Sequence, residues 1–117
     1  MPYIARDVDT LMATTVGWVG VGPECVALTR AWTSAPPPTL WRAGAPVRNN
    51  STIEKGTVIA AFEHGQYNGH AALYLGETAE GIVVFDQGAT EHAHERTIHY
   101  GGRHAPIENG DNYYVVE

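Results

Sequence analysis

The hydrophobic period of this chain changes near residue 57, and that change limits the fold more than any other feature. Before it, apolar residues recur at helical spacing. After it come short runs rich in Val, Ile, Tyr and Phe, separated by Gly-containing turns. The runs are 57–63 (TVIAAFE), 70–76 (HAALYLG), 81–87 (GIVVFDQ), 96–100 (RTIHY) and 113–117 (YYVVE). Residues 76–81 (GETAEG) close the second and third as a hairpin. Upstream, Ile4, Val8, Leu11 and Met12 predict a short helix over 4–13 with Asp7 as a cap. A second helix is expected from Pro23 to Trp32, with Pro23 at its first position and Cys25, Leu28, Thr29 and Trp32 on one face. Residues 39–56 read as a surface loop with Trp41 and Val47 tucked inward. Helices followed by strands, with no βαβ alternation and no Gly-rich phosphate loop, give an α+β class with an antiparallel sheet.

At 117 residues the chain fills about one domain, since domains commonly run to roughly 100–150 residues. Apolar residues make up 44% and charged ones 17%, enough to build a core. Thirteen acidic against seven basic side chains leave a net charge of −6. That balance argues against nucleic acid and against adhesion to an anionic membrane, both of which need clustered Lys and Arg. An anionic polymer would have to be held by a shaped groove. The opening MPYIARDVDTL lacks a basic region followed by an apolar run, so no Sec-type leader is expected. No stretch reaches the ~18 apolar residues of a membrane span.

One cysteine makes no intrachain disulfide and no Cys-rich zinc site. Cys25 follows Gly22-Pro23-Glu24 in the first turn of the second helix, where the helix dipole and unpaired N–H groups favour a thiolate. The same N–H groups can hold the oxyanion formed when a carbonyl is attacked, and the Cys25 N–H is the first such donor. The bland alternative is a buried cysteine packed beside Leu28 and Trp32. His70, directly after Asn68-Gly69, opens an apolar strand and is the candidate base. If Gly76 pairs with Gly81, residue 70 lies opposite 87 and residue 71 opposite 86. Asp86 and Gln87 then both remain candidates to orient the imidazole.

These residues resemble a family. The segments GPECVALTRAW, KGTVIAAFEHGQYNGHAALYLG and GIVVFDQG look like the core of the papain-like NlpC/P60 and CHAP cysteine hydrolases. The likeness is closer still to small bacterial proteins in or near the type VI secretion amidase effectors. It covers roughly residues 15 to 117, and GHAALYLG is its most specific part. The resemblance implies one papain-like domain over 1–117, with helices on a five- to six-stranded antiparallel sheet. It implies cleavage of amide bonds in peptidoglycan stem peptides, with Cys25 as nucleophile, His70 as base and Asp86, or else Gln87, as orienter. It also implies release into the periplasm of a target bacterium and a cognate immunity protein that plugs the cleft. A monomer without cofactor, metal, nucleic acid or membrane partner is expected. The chain departs from many relatives in carrying Pro23-Glu24 where they have Gly-Gln, which sets a carboxylate beside the thiol.

Rival readings are another acyl hydrolase, deamidase or protease on a protein target, and a binding module that kept the fold without the chemistry. A zinc site among His92, His94, His99 and His104, with His64, Glu91 or Glu95, is a weaker rival, because alternating histidines need a third ligand in place. Trp18 lies where relatives line the site. Trp41, Tyr67, Tyr113 and Tyr114 are candidate cleft walls, though core or surface packing explains each as well.

Overall fold

The computed structural model describes residues 2–102 and 105–117. Two helices, α1 (Val8–Thr14) and α2 (Cys25–Trp32), precede six strands. These are β1 (Ala43–Pro46), β2 (Val58–Glu63), β3 (Gln66–Glu77), β4 (Gly81–Gly88), β5 (Glu91–His99) and β6 (Tyr113–Val116). They form one antiparallel sheet in the order β1-β6-β2-β3-β4-β5. No helix among the described residues is long and apolar enough to cross a membrane.

The pleat sorts the apolar residues to two faces. Val58, Ala60, Phe62, Ala71, Leu73 and Phe85 join Val8, Leu28 and Trp41 in a cluster on the helical side. Ile59, Ala61, Ala72, Tyr74, Ile82, Val84 and Ile98 form the opposite cluster, which Val47 and Ile107 help to cover. Helix α2 packs on β3 and β4, and Trp32 stacks on Phe85 with ring centroids 5.6 Å apart. Trp41 and Val47 are buried as expected, at 6% and 0% exposure.

Several expectations need correction. Residue Ile4 is not helical; it bridges to Thr57, so α1 starts later, and Asp7 at its N-cap makes no side-chain cap bond. Helix α2 starts at Cys25, two residues beyond Pro23, with Glu24 as an extended N-cap. The loop over 39–56 contains β1, an edge strand that pairs Ala43 with Val116 and Pro46 with Tyr114. Gly44 and Pro46 hide it from any pattern search, because proline is tolerated in a sheet only where its missing donor is not needed. The second predicted strand begins at Gln66 rather than at His70, which lies inside it, and the fourth begins at Glu91 rather than Arg96. Its polar first half suits the outer edge of the sheet, where charge discourages pairing with another chain.

Hairpin register also differs. Glu77 pairs with Ile82, the ladder slips by one residue at Leu75, and Tyr74 then pairs with Val84 and Leu73 with Phe85. Gly76 faces Val83 rather than Gly81. Between β2 and β3 a larger irregularity sets Asn68, Gly69 and His70 against Ala61 alone, between the pairs Phe62–Tyr67 and Ala60–Ala71. Gly69 turns the chain there at φ +83°, a conformation that L side chains resist.

Candidate active site

Helix α2 and the bulged start of β3 meet at one end of the sheet. The loop that delivers Cys25 is tied to the end of β4. Gln87, 1% exposed, donates from Nε2 to the carbonyls of Val19 (2.9 Å), Gly22 (3.2 Å) and Glu24 (2.9 Å). Its Oε1 accepts from the Val19 N–H at 2.7 Å. The indole N–H of Trp18 donates to the Gly88 carbonyl at 2.8 Å, and Ala93 N–H donates to Gly17 O at 3.1 Å. These bonds fix where α2 begins, and therefore where the sulfur lies. Gln87 is spent on this loop and makes no bond to the imidazole among those observed.

Bulging frees His70 from the regular ladder. Its Nε2 lies 2.6 Å from Asp86 Oδ2, and its ring is near enough to the Cys25 thiol that each shifts the other's titration. The register places Ala72 and Asp86 on one face of the sheet, with His70 diagonal to Asp86, so the two side chains meet across neighbouring strands. Asp86, only 2% exposed, is also gripped by Arg96, whose Nη2 lies 3.3 Å from His70 Nε2 as well. The guanidinium Nε lies 3.0 Å from both carboxylate oxygens, and Nη2 lies 2.7 Å from Oδ2. Arg96 pairs with Val84 in the ladder, one pleat from the residue facing Asp86.

Four groups thus cluster here: the Cys25 thiol, the His70 imidazole, the Asp86 carboxylate and the Arg96 guanidinium, the last touching both carboxylate and ring. Burial pushes the Cys25 thiol up, but the His70 hydrogen bond and charge, the Ala71 N–H and the Tyr67 hydroxyl outweigh it and lower its pKa. Burial alone would lower His70, yet hydrogen bonds to Asp86 and Cys25, with their charges, raise it to about 9. For Asp86, burial opposes the charge, while hydrogen bonds from His70 and Arg96 hold its carboxyl below the usual range. With thiol and ring either both neutral or paired as ions, the cluster sums to zero charge, so it can sit half-buried without an uncompensated ion. Its chemical capacity is that of a nucleophile with a charged proton donor beside it.

Other singled-out residues have definite places. Glu24 is exposed, and its backbone carbonyl, not its carboxylate, is what Gln87 holds. Tyr67 sets its hydroxyl 3.7 Å from Cys25 Sγ and its ring edge-on to Trp41. Trp18 packs edge-on against His92, with centroids 4.2 Å apart. Tyr113 is core, its hydroxyl donating to Ile107 O at 2.6 Å, and Tyr114 packs against Phe62. His94 uses Nδ1 on the His92 carbonyl at 2.8 Å and sets Nε2 3.5 Å from Glu91. Among the described residues no group of three or more His, Cys, Asp or Glu is placed to hold a metal ion. His104 lies outside the described residues. Arg96 is the residue that sequence reasoning passes over. Its signal is a lone cation in a strand edge one pleat from Asp86, readable only once β5 is aligned on β4.

Beside the imidazole opens a cleft of about 250 Å³, lined by His70, Asp86, Arg96, Glu91, His94 and Glu108 among others. Fold and site together define a class: an α+β domain that presents a thiol, an imidazole and a carboxylate where one helix meets a β-hairpin. The chain belongs to the domesticated amidase effector 2 family, whose model matches residues 4–116. It is 31% identical, over 135 aligned positions spanning all of both chains, to the type VI secretion amidase effector 2 protein of Salmonella typhi. It is 36% identical over 104 residues to domesticated amidase effector 2 of Ixodes scapularis, an alignment covering 80% of this chain and 70% of the relative. A solved structure of a type 6 secretion amidase effector 2 (Tae2) superposes with a TM-score of 0.82 at 30% identity, over 98% of this chain and 94% of that one.

Proposed function

We infer that this protein is a cysteine amidase or endopeptidase that cleaves amide bonds in bacterial peptidoglycan stem peptides. The single observation that carries the reading is the convergence of Cys25 on a His70 hydrogen-bonded to Asp86, in a chain aligned end to end with a protein named as a secretion amidase effector. Cys25 attacks the scissile carbonyl carbon as thiolate, and the C=O pair moves onto oxygen. Collapse of that adduct breaks the C–N bond, and the leaving amine takes the proton held by His70. A thioester remains. Neutral His70 then draws a proton from water, whose oxygen attacks the thioester, and the thiolate and acid product separate. Asp86 holds the ring in one tautomer and stabilises its cation.

On this reading residues 1–117 are one papain-like domain of the NlpC/P60 and CHAP kind. The type VI names of its relatives support delivery into the periplasm of a target bacterium and an immunity protein in the producer. Glu24 supports no loss of chemistry, because its carboxylate stands in solvent. The test is digestion of purified peptidoglycan with the fragments read by mass. Cleavage is expected from the native chain and is expected to be lost in both Cys25→Ala and His70→Ala. Fragments still released by both variants would end the cysteine mechanism, and silence of the native protein on every wall substrate would end the assignment of substrate.

A further inference from the structure

Acyl transfer needs donors for the charge that develops on the carbonyl oxygen, and the charged side chains supply none; the backbone offers the Cys25 N–H and the Ala71 N–H, which is already turned to the sulfur. Tyr67 is placed for that task. Its hydroxyl lies 3.7 Å from Cys25 Sγ, the atom that bonds the reacting carbon. Its ring is held: Trp41 packs edge-on at 5.1 Å with an interplanar angle of 79°, and Trp41 is itself buried, its indole N–H donated to Pro36 O at 2.8 Å. Tyr67 pairs with Phe62 immediately before the bulge that carries His70. One short stretch of β3 therefore brings two side chains to the same sulfur, one as proton carrier and one as neutral donor.

We propose that Tyr67 is a catalytic residue whose hydroxyl donates to the Cys25 thiolate at rest and to the substrate's carbonyl oxygen during acylation, completing with the Cys25 N–H a two-donor oxyanion site. This deepens the cysteine-hydrolase reading and rests on it. When Sγ bonds the carbonyl carbon, negative charge leaves sulfur and appears on an oxygen bonded to that carbon. A donor already touching sulfur needs only a small rotation to follow it. The hydroxyl keeps its proton throughout, since it donates a hydrogen bond and transfers nothing. Burial, then the neighbouring thiolate and the Glu24 carboxylate, push the phenol well above its ordinary range, so it stays a donor wherever the thiolate exists. When the adduct collapses the C=O re-forms, and the amine leaves with the proton from His70.

Tyr67→Phe tests this, because it keeps the ring that packs on Trp41 and removes only the oxygen. Two reactions are compared over pH: hydrolysis of an activated ester such as p-nitrophenyl acetate, and alkylation of Cys25 by iodoacetamide. Alkylation displaces iodide at a saturated carbon and creates no carbonyl oxyanion. The plateau acylation rate is expected to fall about 10²–10³-fold, the usual effect of losing one oxyanion donor. The plateau alkylation rate should change less than about threefold, with the thiol's acid limb moved upward. An unchanged acylation plateau, or equal losses in both reactions, would overturn the proposal. Cys25→Ala is assayed alongside. Hydrolysis surviving there removes the cysteine reading together with the tyrosine's role, whereas a dead Cys25→Ala beside a fully active Tyr67→Phe removes only the latter.

Discussion

Asp86 and Gln87 are consecutive residues of β4, and the pleat sends their side chains to opposite faces of the sheet. One meets His70 and Arg96; the other threads into the loop before α2. From sequence both are polar groups at the end of an apolar strand, and choosing between them depends on a one-residue slip at Leu75 that no local pattern announces. The geometry gives the carboxylate a measurable role. In the native chain the thiolate–imidazolium pair should exist from below the ordinary thiol range up to about 9, where His70 loses its proton. Activity should therefore fall on the acid side as Cys25 takes up a proton, and on the alkaline side near 9. Asp86→Asn removes the hydrogen bond and charge that raise His70. The alkaline limb should then move down toward the unperturbed histidine value of ~6.5, while the acid limb moves up toward ~8.5. The maximal rate should fall by about 10²–10⁴, judged by the same change in a serine triad. A pH–rate profile checks both. Limbs left in place would show that Asp86 does not govern the ring. Cys25 and His70 themselves were legible, because a thiol after Gly-Pro and an imidazole after Asn-Gly are local signals.

At the scale of elements, two devices place the site: the bulge at Asn68–His70 and the tied loop over 17–24. Gly20 is the tightest point of that loop. Its φ is +86°, and a Cβ built there would lie 2.5 Å from the Ala27 carbonyl oxygen, inside α2. Gly20→Ala should accordingly cost about 1–3 kcal/mol, the usual range for a non-glycine residue forced into such backbone. It should also push the loop off the helix, so that the thiol titrates nearer its ordinary value. Chemical denaturation and an alkylation pH profile measure the two effects, and a variant as stable and reactive as the native chain would show that the loop yields freely. Helix and strand periods located α2, β2, β4, β6 and the apolar second half of β3 well. β1 and the first half of β5 escaped because edge strands bury little, and burial is what writes a period into sequence.

For the whole molecule, charge and packing act separately. The sheet is covered by helices on one face and by loops on the other, giving two apolar clusters in one small domain. Its net charge of −6 opposes any carboxylate-bearing polymer at long range. If the substrate is peptidoglycan, added salt should help approach to it, since the screening length shrinks from about 30 Å at 0.01 M to about 8 Å at 0.15 M. Hydrolysis of intact sacculi, relative to a small neutral ester, should rise over that range. A steep fall would reveal a cationic wall-binding face.

The sequence alone determined the α+β class, the position of the thiol at a helix start and that of the imidazole just after an Asn-Gly pair, because each is written in neighbouring residues. Only the tertiary structure decided that Asp86 rather than Gln87 meets the ring, that Arg96 holds the carboxylate and that Tyr67 reaches the sulfur. Those contacts join residues far apart in the chain, and strand register and a bulge decide them, two features that depend on how distant segments pack.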